Sequence, residues 1–305
     1  MVTGVKLEGV VAAALTPFDA DLRPDAPSLV RHCQDLLRRG CDAVLCLGTT
    51  GEANSMSVTE RLTLLEALDE GGLGPRLLVG VGCCAAPDTV RLTRHALAID
   101  AAGVLALPPF YYKKVDDEGL FAAFARVIEE VADPRLRLYL YNIPQLSGVP
   151  IRPALLERLL STYPEAVVGV KDSAGDLEQT EALLRAFPGL SVFTGTERHM
   201  LAALRLGGPG CISAAFNVTA RHAARLHADW RDAGAEQLHG QLSRLRGLFE
   251  GRAGGMIPAL KAAMARLDPA HARAWRALRP PLLPLPPAEA DQLMAGLAAE
   301  GVEAL

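Results

Sequence analysis

The sequence predicts an α/β protein built as a (β/α)8 TIM barrel with a C-terminal helical appendage. Three observations carry this. Short apolar runs alternate with amphipathic stretches almost from end to end of the 305 residues. The apolar runs are continuous rather than alternating, the pattern of strands buried on both faces in a parallel sheet. The strand-then-helix unit occurs eight times, which closes a barrel more readily than it fits an open sheet of about six strands.

In order, Gly9 to Thr16 is the first run and stops at Pro17. Leu29, Val30, Cys33, Leu36 and Leu37 recur at helical spacing, with Gly40 as a C-terminal stop. Ala43 to Leu47 is the second strand. Ser57 and Glu60 form a capping box before Leu62, Leu65 and Leu68. Leu77 to Gly82 and Asp88 to Ala101 are the third strand and helix. Val104 to Leu107 precedes a helical stripe from Leu120 to Val131. Leu138 to Tyr141 precedes a helix around Leu155 to Leu160, and Val167 to Val170 precedes one from Leu177 to Phe187. Val192 to Thr194 leads into Met200, Leu201 and Leu204. Cys211 to Ala214 is the last strand, followed by helix from Thr219. Beyond about residue 230 only helical pattern remains, broken by Gly251 to Gly255 and by prolines between 280 and 287. The expected division is a barrel over 1–225 and a helical region over 226–305.

Composition narrows the function classes. Half the residues are hydrophobic and 22% charged, enough for a large core and wrong for a disordered chain. A net charge of -4 argues against nucleic acid or an anionic membrane as partner. No apolar run approaches the roughly 18 residues of a membrane span. Met1 to Glu8 has no basic stretch followed by an apolar one, so no signal peptide is expected, and a cytoplasmic location follows. The cysteines at 33, 41, 46, 83, 84 and 211 form no Cys-x-x-Cys and pair with no histidine at zinc spacing. No metal is expected.

Catalytic groups of such a barrel sit at the C-terminal strand ends. The polar residues there are Thr16; Gly48, Thr49, Thr50, Gly51 and Glu52; Tyr111 and Tyr112; Tyr141 and Asn142; Lys171 and Asp172; and Gly195, Thr196 and Glu197. Lys171 stands out, because the chain has five lysines (6, 113, 114, 171, 261) among 31 basic residues. An arginine keeps its proton and cannot be an amine nucleophile, whereas a lysine in a barrel mouth can attack a carbonyl. The competing reading is a structural Lys171 paired with Asp172 or another carboxylate. Tyr141 ends the preceding strand and offers a phenol for proton transfer, or simply packs. Gly48–Gly51 has the glycines and hydroxyls to bind a small carboxylate, but not the length or lysine of a P-loop.

Together these residues resemble the Schiff-base (class I) pyruvate aldolase and lyase family, which includes dihydrodipicolinate synthase, N-acetylneuraminate lyase and keto-deoxy sugar-acid aldolases. The matching stretches are GVVAAALTPFD (9–19), GTTGEANS (48–55), PPFYYK (108–113), YNIPQLSGV (141–149), VVGVKDSAGD (167–176) and CISAAFNV (211–218). The resemblance implies that Lys171 forms the imine with pyruvate and that Tyr141 relays the proton. It implies that Thr49 and Thr50, with Gly48, hold the carboxylate, Thr49 also joining the relay. Tyr111 is similar to the tyrosine that reaches a neighbouring subunit, which implies a homodimer or homotetramer; Tyr112 is the competing register. Gly195, Thr196 and Glu197 match the region facing the distal part of the substrate, with Ser213 and Ala214 lining it. No cofactor is implied, since the lysine supplies the electron sink.

One departure is informative. The synthases of the family carry an arginine two residues after the proline of Tyr-Asn-x-Pro, and this chain has Leu146 there, in Pro144-Gln145-Leu146-Ser147-Gly148. Loss of that carboxylate partner removes about 1.5–3 kcal/mol per hydrogen bond. The segment is more similar to that of N-acetylneuraminate lyase. The expected activity is therefore a carbon–carbon lyase or aldolase acting on a 2-keto acid, such as a 2-keto-3-deoxy sugar acid, with pyruvate as the common fragment. The alternatives are a dihydrodipicolinate synthase, a keto-deoxy sugar-acid dehydratase, and a non-catalytic sensor.

Overall fold

The computed structural model describes residues 6–305; the expectation of no signal peptide rests partly on residues 1–5, outside them. Eight parallel strands close into a barrel in sequence order. They are β1 (Gly9–Ala13), β2 (Ala43–Cys46), β3 (Leu77–Gly80), β4 (Gly103–Ala106), β5 (Leu138–Asn142), β6 (Val167–Asp172), β7 (Ser191–Thr194) and β8 (Gly210–Ser213). Every strand residue is buried, as the continuous apolar runs require. The helices are α1 (Ala26–Arg38), α2 (Val58–Glu70), α3 (Ala86–Ala98), α4 (Asp117–Val131), α5 (Pro144–Ser147), α6 (Pro153–Thr162), α7 (Leu177–Ala186), α8 (Met200–Arg205) and α9 (Phe216–Ala228). The appendage follows as α10 (Ala235–Phe249), α11 (Met256–Leu267), α12 (Ala272–Arg276) and α13 (Pro287–Ala299). The 225/226 boundary read from sequence falls inside α9, where no glycine or proline marks the end of the helix.

Local chemistry explains the helix starts. Ser57 and Glu60 form the expected capping box on α2. Asp25, Asp116 and Asp176 accept N–H groups at the starts of α1, α4 and α7, each satisfying donors that have no partner within the helix.

Inside the barrel, Val11, Leu45, Leu78, Leu105, Tyr139, Tyr141, Phe193 and Ile212 form one cluster. Large and small residues alternate so that the strands close. A Cβ at Gly169 would lie 2.3 Å from the Tyr139 ring, and one at Gly103 would lie 2.9 Å from it. Glycine on β6 therefore makes room for the tyrosine on β5, and sets the inward face on which Lys171 follows two residues later.

The β1–β8 seam is pinned by Asn217, at the start of α9. Its Nδ2 donates to the carbonyls of Ala13 (2.8 Å) and Ala214 (2.7 Å), and its Oδ1 accepts from the Leu15 N–H at 3.0 Å. His32 Nε2 stands 2.7 Å from the same oxygen, so the neutral ring donates there. Burial pushes the His32 ring down to about 4, against the opposing pull of the Asn217 bond.

The appendage has its own apolar cluster, including Phe249, Leu260, Trp275 and Leu293, which reaches the barrel through Leu15, Ala215 and Val218. No helix among the described residues is long and apolar enough to cross a membrane.

Candidate active site

Lys171 and Tyr141 are paired neighbours on β6 and β5. Both lie within the strands, which run one or two residues past the apolar runs read from sequence. Strand alternation turns Gly169 and Lys171 inward, and Val170 and Asp172 outward. The Lys171 amine stands 4.3 Å from the centre of the Tyr141 ring, and both side chains are buried. Among the described residues the amine has no ion-pair partner. The reading that pairs it with Asp172 is not what the geometry provides. Asp172 accepts from Asn142 Nδ2 at 2.9 Å and from the Thr180 hydroxyl at 2.8 Å, on the helix side of the sheet.

The loop after β2 shares a cleft with Tyr141. Gly48, Thr49, Asn54 and Tyr141 line one cleft at the barrel mouth. The Glu52 N–H donates to Thr49 O at 3.0 Å, and Ala53 N–H to Gly48 O at 3.2 Å, which rolls the loop into a compact turn. Thr16 Oγ1 donates to Gly51 O at 2.7 Å, tying the turn to the end of β1. The N–H groups of Thr49, Thr50 and Gly51 donate to no backbone acceptor among the described residues. Free donors on a turn of this kind suit an anion. A larger apolar cavity lies between the barrel and helices α3 and α4, lined by Val81, Thr93, Phe124 and Leu138 among others. It is on the far side of the strands from the amine, so the mouth is the better candidate site.

Tyr111 and Tyr112 are 74% and 72% exposed and stand edge to face at 5.3 Å. Neither lines the cleft formed by Thr49 and Tyr141 of its own chain. Lys113 ties their loop to α5, donating to Ser147 O at 2.7 Å. Leu146 on that short helix is 63% exposed and carries no charge to the mouth.

At the other rim, Gly195 is held by its N–H to Asp172 O at 2.7 Å, where a Cβ would strike Ser173. The Thr196 hydroxyl accepts from the Arg198 N–H. Glu197 is wholly buried. Its carboxylate accepts from Ser213 Oγ at 2.6 Å and from Arg246 on α10 at 2.6 Å. Glu197 and Ser213 are thus brought together, but they bind each other and Arg246. Burial works against the charge of Arg246, and the carboxylates of Glu197 and Glu250 outweigh it, holding the guanidinium charged.

Sequence reasoning did not single out Arg246, nor the buried pair of Glu52 with Lys261. Lys261 carried the same signal as Lys171, a rare lysine in an arginine-rich chain, but no strand end marked it.

Comparison with known proteins agrees with this architecture. The profile described as the dihydrodipicolinate synthetase family matches residues 6–300. An uncharacterized DapA-like lyase of Chloroflexus aurantiacus is 37% identical over 291 residues, 94% of this chain and 95% of that protein. The crystal structure of dihydrodipicolinate synthase from Agrobacterium tumefaciens superposes with a TM-score of 0.88 at 31% identity, covering 97% of this chain and 100% of that one. YagE from Escherichia coli K12, a prophage protein solved in complex with pyruvate, gives 0.89 at 26% identity, covering 98% and 100%. The chain belongs to the dihydrodipicolinate synthetase family, whose members are carbon–carbon lyases.

Proposed function

We propose that the protein is a Schiff-base lyase or aldolase that cleaves, or in reverse forms, a 2-keto acid with pyruvate as the common fragment. The observation that carries this is the buried amine of Lys171, without an ion-pair partner among the described residues, against Tyr141, which shares a cleft with a turn whose donors are free. The amine adds to the ketone, and the Tyr141 phenol gives its proton to the hydroxyl that leaves as water, so that a protonated imine and a phenolate remain. The Tyr141 phenolate then takes the proton of the 4-hydroxyl as the C3–C4 bond breaks. The bonding pair moves into the imine, leaving an enamine, and the aldehyde departs. Protonation at C3 and hydrolysis return pyruvate and the free amine. The turn of Gly48, Thr49 and Thr50 fixes the carboxylate, so that orientation comes from binding. No external electron sink is required.

The neighbouring rim of Gly195, Thr196, Glu197 and Ser213 is assigned to the distal part of the substrate. Because Glu197 is held by Ser213 and Arg246, its part there is to set the shape and charge of the rim. The synthase reading is favoured by the Agrobacterium structure and opposed by Leu146, which leaves a second carboxylate without a partner. The YagE structure holds pyruvate, which fits the shared fragment. Exposed Tyr111, or Tyr112 in the competing register, fits a homo-oligomer in which one subunit completes its neighbour's site. Six free cysteines fit a reducing cytoplasm.

The test is product analysis. A panel of 2-keto-3-deoxy sugar acids should yield pyruvate plus an aldehyde. A dehydrated keto acid would replace the aldolase with a dehydratase. Turnover only of pyruvate with aspartate semialdehyde would restore the synthase.

A further inference from the structure

The carboxylate-binding turn is held from outside the barrel. Glu52 ends that turn in the left-handed conformation, φ 54° and ψ 31°, which is disfavoured for any residue with a Cβ and persists only where its surroundings fix it. Its N–H closes the turn on Thr49 O. Its side chain runs in the opposite direction, fully buried, to meet Lys261 Nζ of α11 at 2.5 Å. The second carboxylate oxygen accepts the Arg279 N–H at 3.0 Å. Lys261 is itself anchored, donating to Ala277 O at 2.8 Å and standing 4.3 Å from the centre of the Phe18 ring. On the barrel side the Thr16 hydroxyl holds the turn through Gly51 O.

We infer that Glu52 and Lys261, with Arg279, are positioning residues: the C-terminal helices hold Thr49 and Thr50 in place to receive the substrate carboxylate through a buried ion pair beneath the turn. This rests on the reading of Lys171 as the imine-forming amine and of the turn as its carboxylate cradle. Neither Glu52 nor Lys261 lines the cleft formed by Gly48, Thr49 and Tyr141, and both are sealed from solvent. Their effect passes through the backbone, because the residue whose side chain is clamped is the one whose N–H closes the Thr49 turn. Burial draws Lys261 down to about 8 while Glu52 pulls the other way and the Arg279 charge adds to the lowering. The lysine therefore stays largely protonated at neutral pH and the pair is intact. Arg279 is in turn neutralised by Glu60.

The test compares two carbonyl compounds that differ in carrying a carboxylate. Wild type and the double variant Glu52→Gln/Lys261→Met are incubated with increasing pyruvate, or with acetone, and reduced with borohydride; the adduct on Lys171 is then measured. The double variant removes both buried charges together, so that neither is left unpaired, and thermal melting verifies its fold. The expected result is that half-maximal trapping needs on the order of tenfold to a hundredfold more pyruvate, as for a misplaced binding group, with trapping by acetone unchanged. Equal dependence on pyruvate in the two proteins overturns the inference. So does an equal loss for pyruvate and acetone, which would mean that the pair serves the fold or the amine rather than the carboxylate turn. If the double variant does not fold, Glu52→Gln alone, assayed below its melting temperature, is judged by the same two criteria. A wild-type protein that traps no pyruvate overturns the reading of Lys171 first, and this inference with it.

Discussion

Replacing Arg246 with methionine separates two roles for Glu197. Glu197 is fully buried and Arg246 is 13% exposed, with 2.6 Å between guanidinium and carboxylate. Removing one partner of such a pair strands the other charge, at about 3–5 kcal/mol. The lower end applies here, because the Ser213 hydroxyl still donates to the carboxylate. The expected loss for Arg246→Met is therefore about 3 kcal/mol, read as a fall in the urea midpoint with the slope unchanged. Adding Glu197→Gln removes the stranded charge, and the double variant should return to within about 1 kcal/mol of wild type, as buried pairs exchanged for neutral groups generally do. The double variant should also bind a keto-deoxy sugar acid more weakly while trapping pyruvate as before, since the rim and the carboxylate turn are separate. An Arg246→Met protein as stable as wild type, or a double variant no better than the worse single one, would refute this account of the pair.

Two further outcomes follow from named groups. Tyr141→Phe keeps the ring that packs against the amine and removes the hydroxyl. It should still form the pyruvate adduct, while turnover falls by about 10²–10⁴, the usual contribution of a positioned proton carrier; unchanged turnover would assign the proton transfer elsewhere. His32 is held near 4 when folded against 6.5 when free, so between those values the unfolded chain binds the extra proton. Its contribution is complete above pH 6.5 and is lost as pH falls through 4, a span worth on the order of 3 kcal/mol. Chemical denaturation of wild type and His32→Leu across this range should show a shallower loss in the variant, and parallel curves would contradict it.

The architecture was largely legible because burial on both faces writes a plain pattern. Val167 to Val170 and Ala43 to Leu47 could hardly be anything but interior strands, and the residue beyond each run falls at the barrel mouth. The place of Lys171 at the mouth was legible because it follows the apolar run Val167 to Val170 of β6. What escaped depends on contacts between residues far apart in the chain. Glu197 meets Arg246 across 49 positions, and Glu52 meets Lys261 through a helix that carries no local mark of what it touches. The short helix α5 escaped because four residues are too few to show a period. The division expected at 225/226 falls inside α9, which Asp229 ends without a glycine or proline to mark it.

The claim on which the chemistry depends is a covalent bond between one amine and a keto carbon. Borohydride reduction in the presence of pyruvate, with mass mapping of the modified peptide, tests it directly. The account predicts a single pyruvate adduct on Lys171, absent from Lys171→Ala. An adduct on Lys113, Lys114 or Lys261 instead, or none at all in a folded protein, would contradict it.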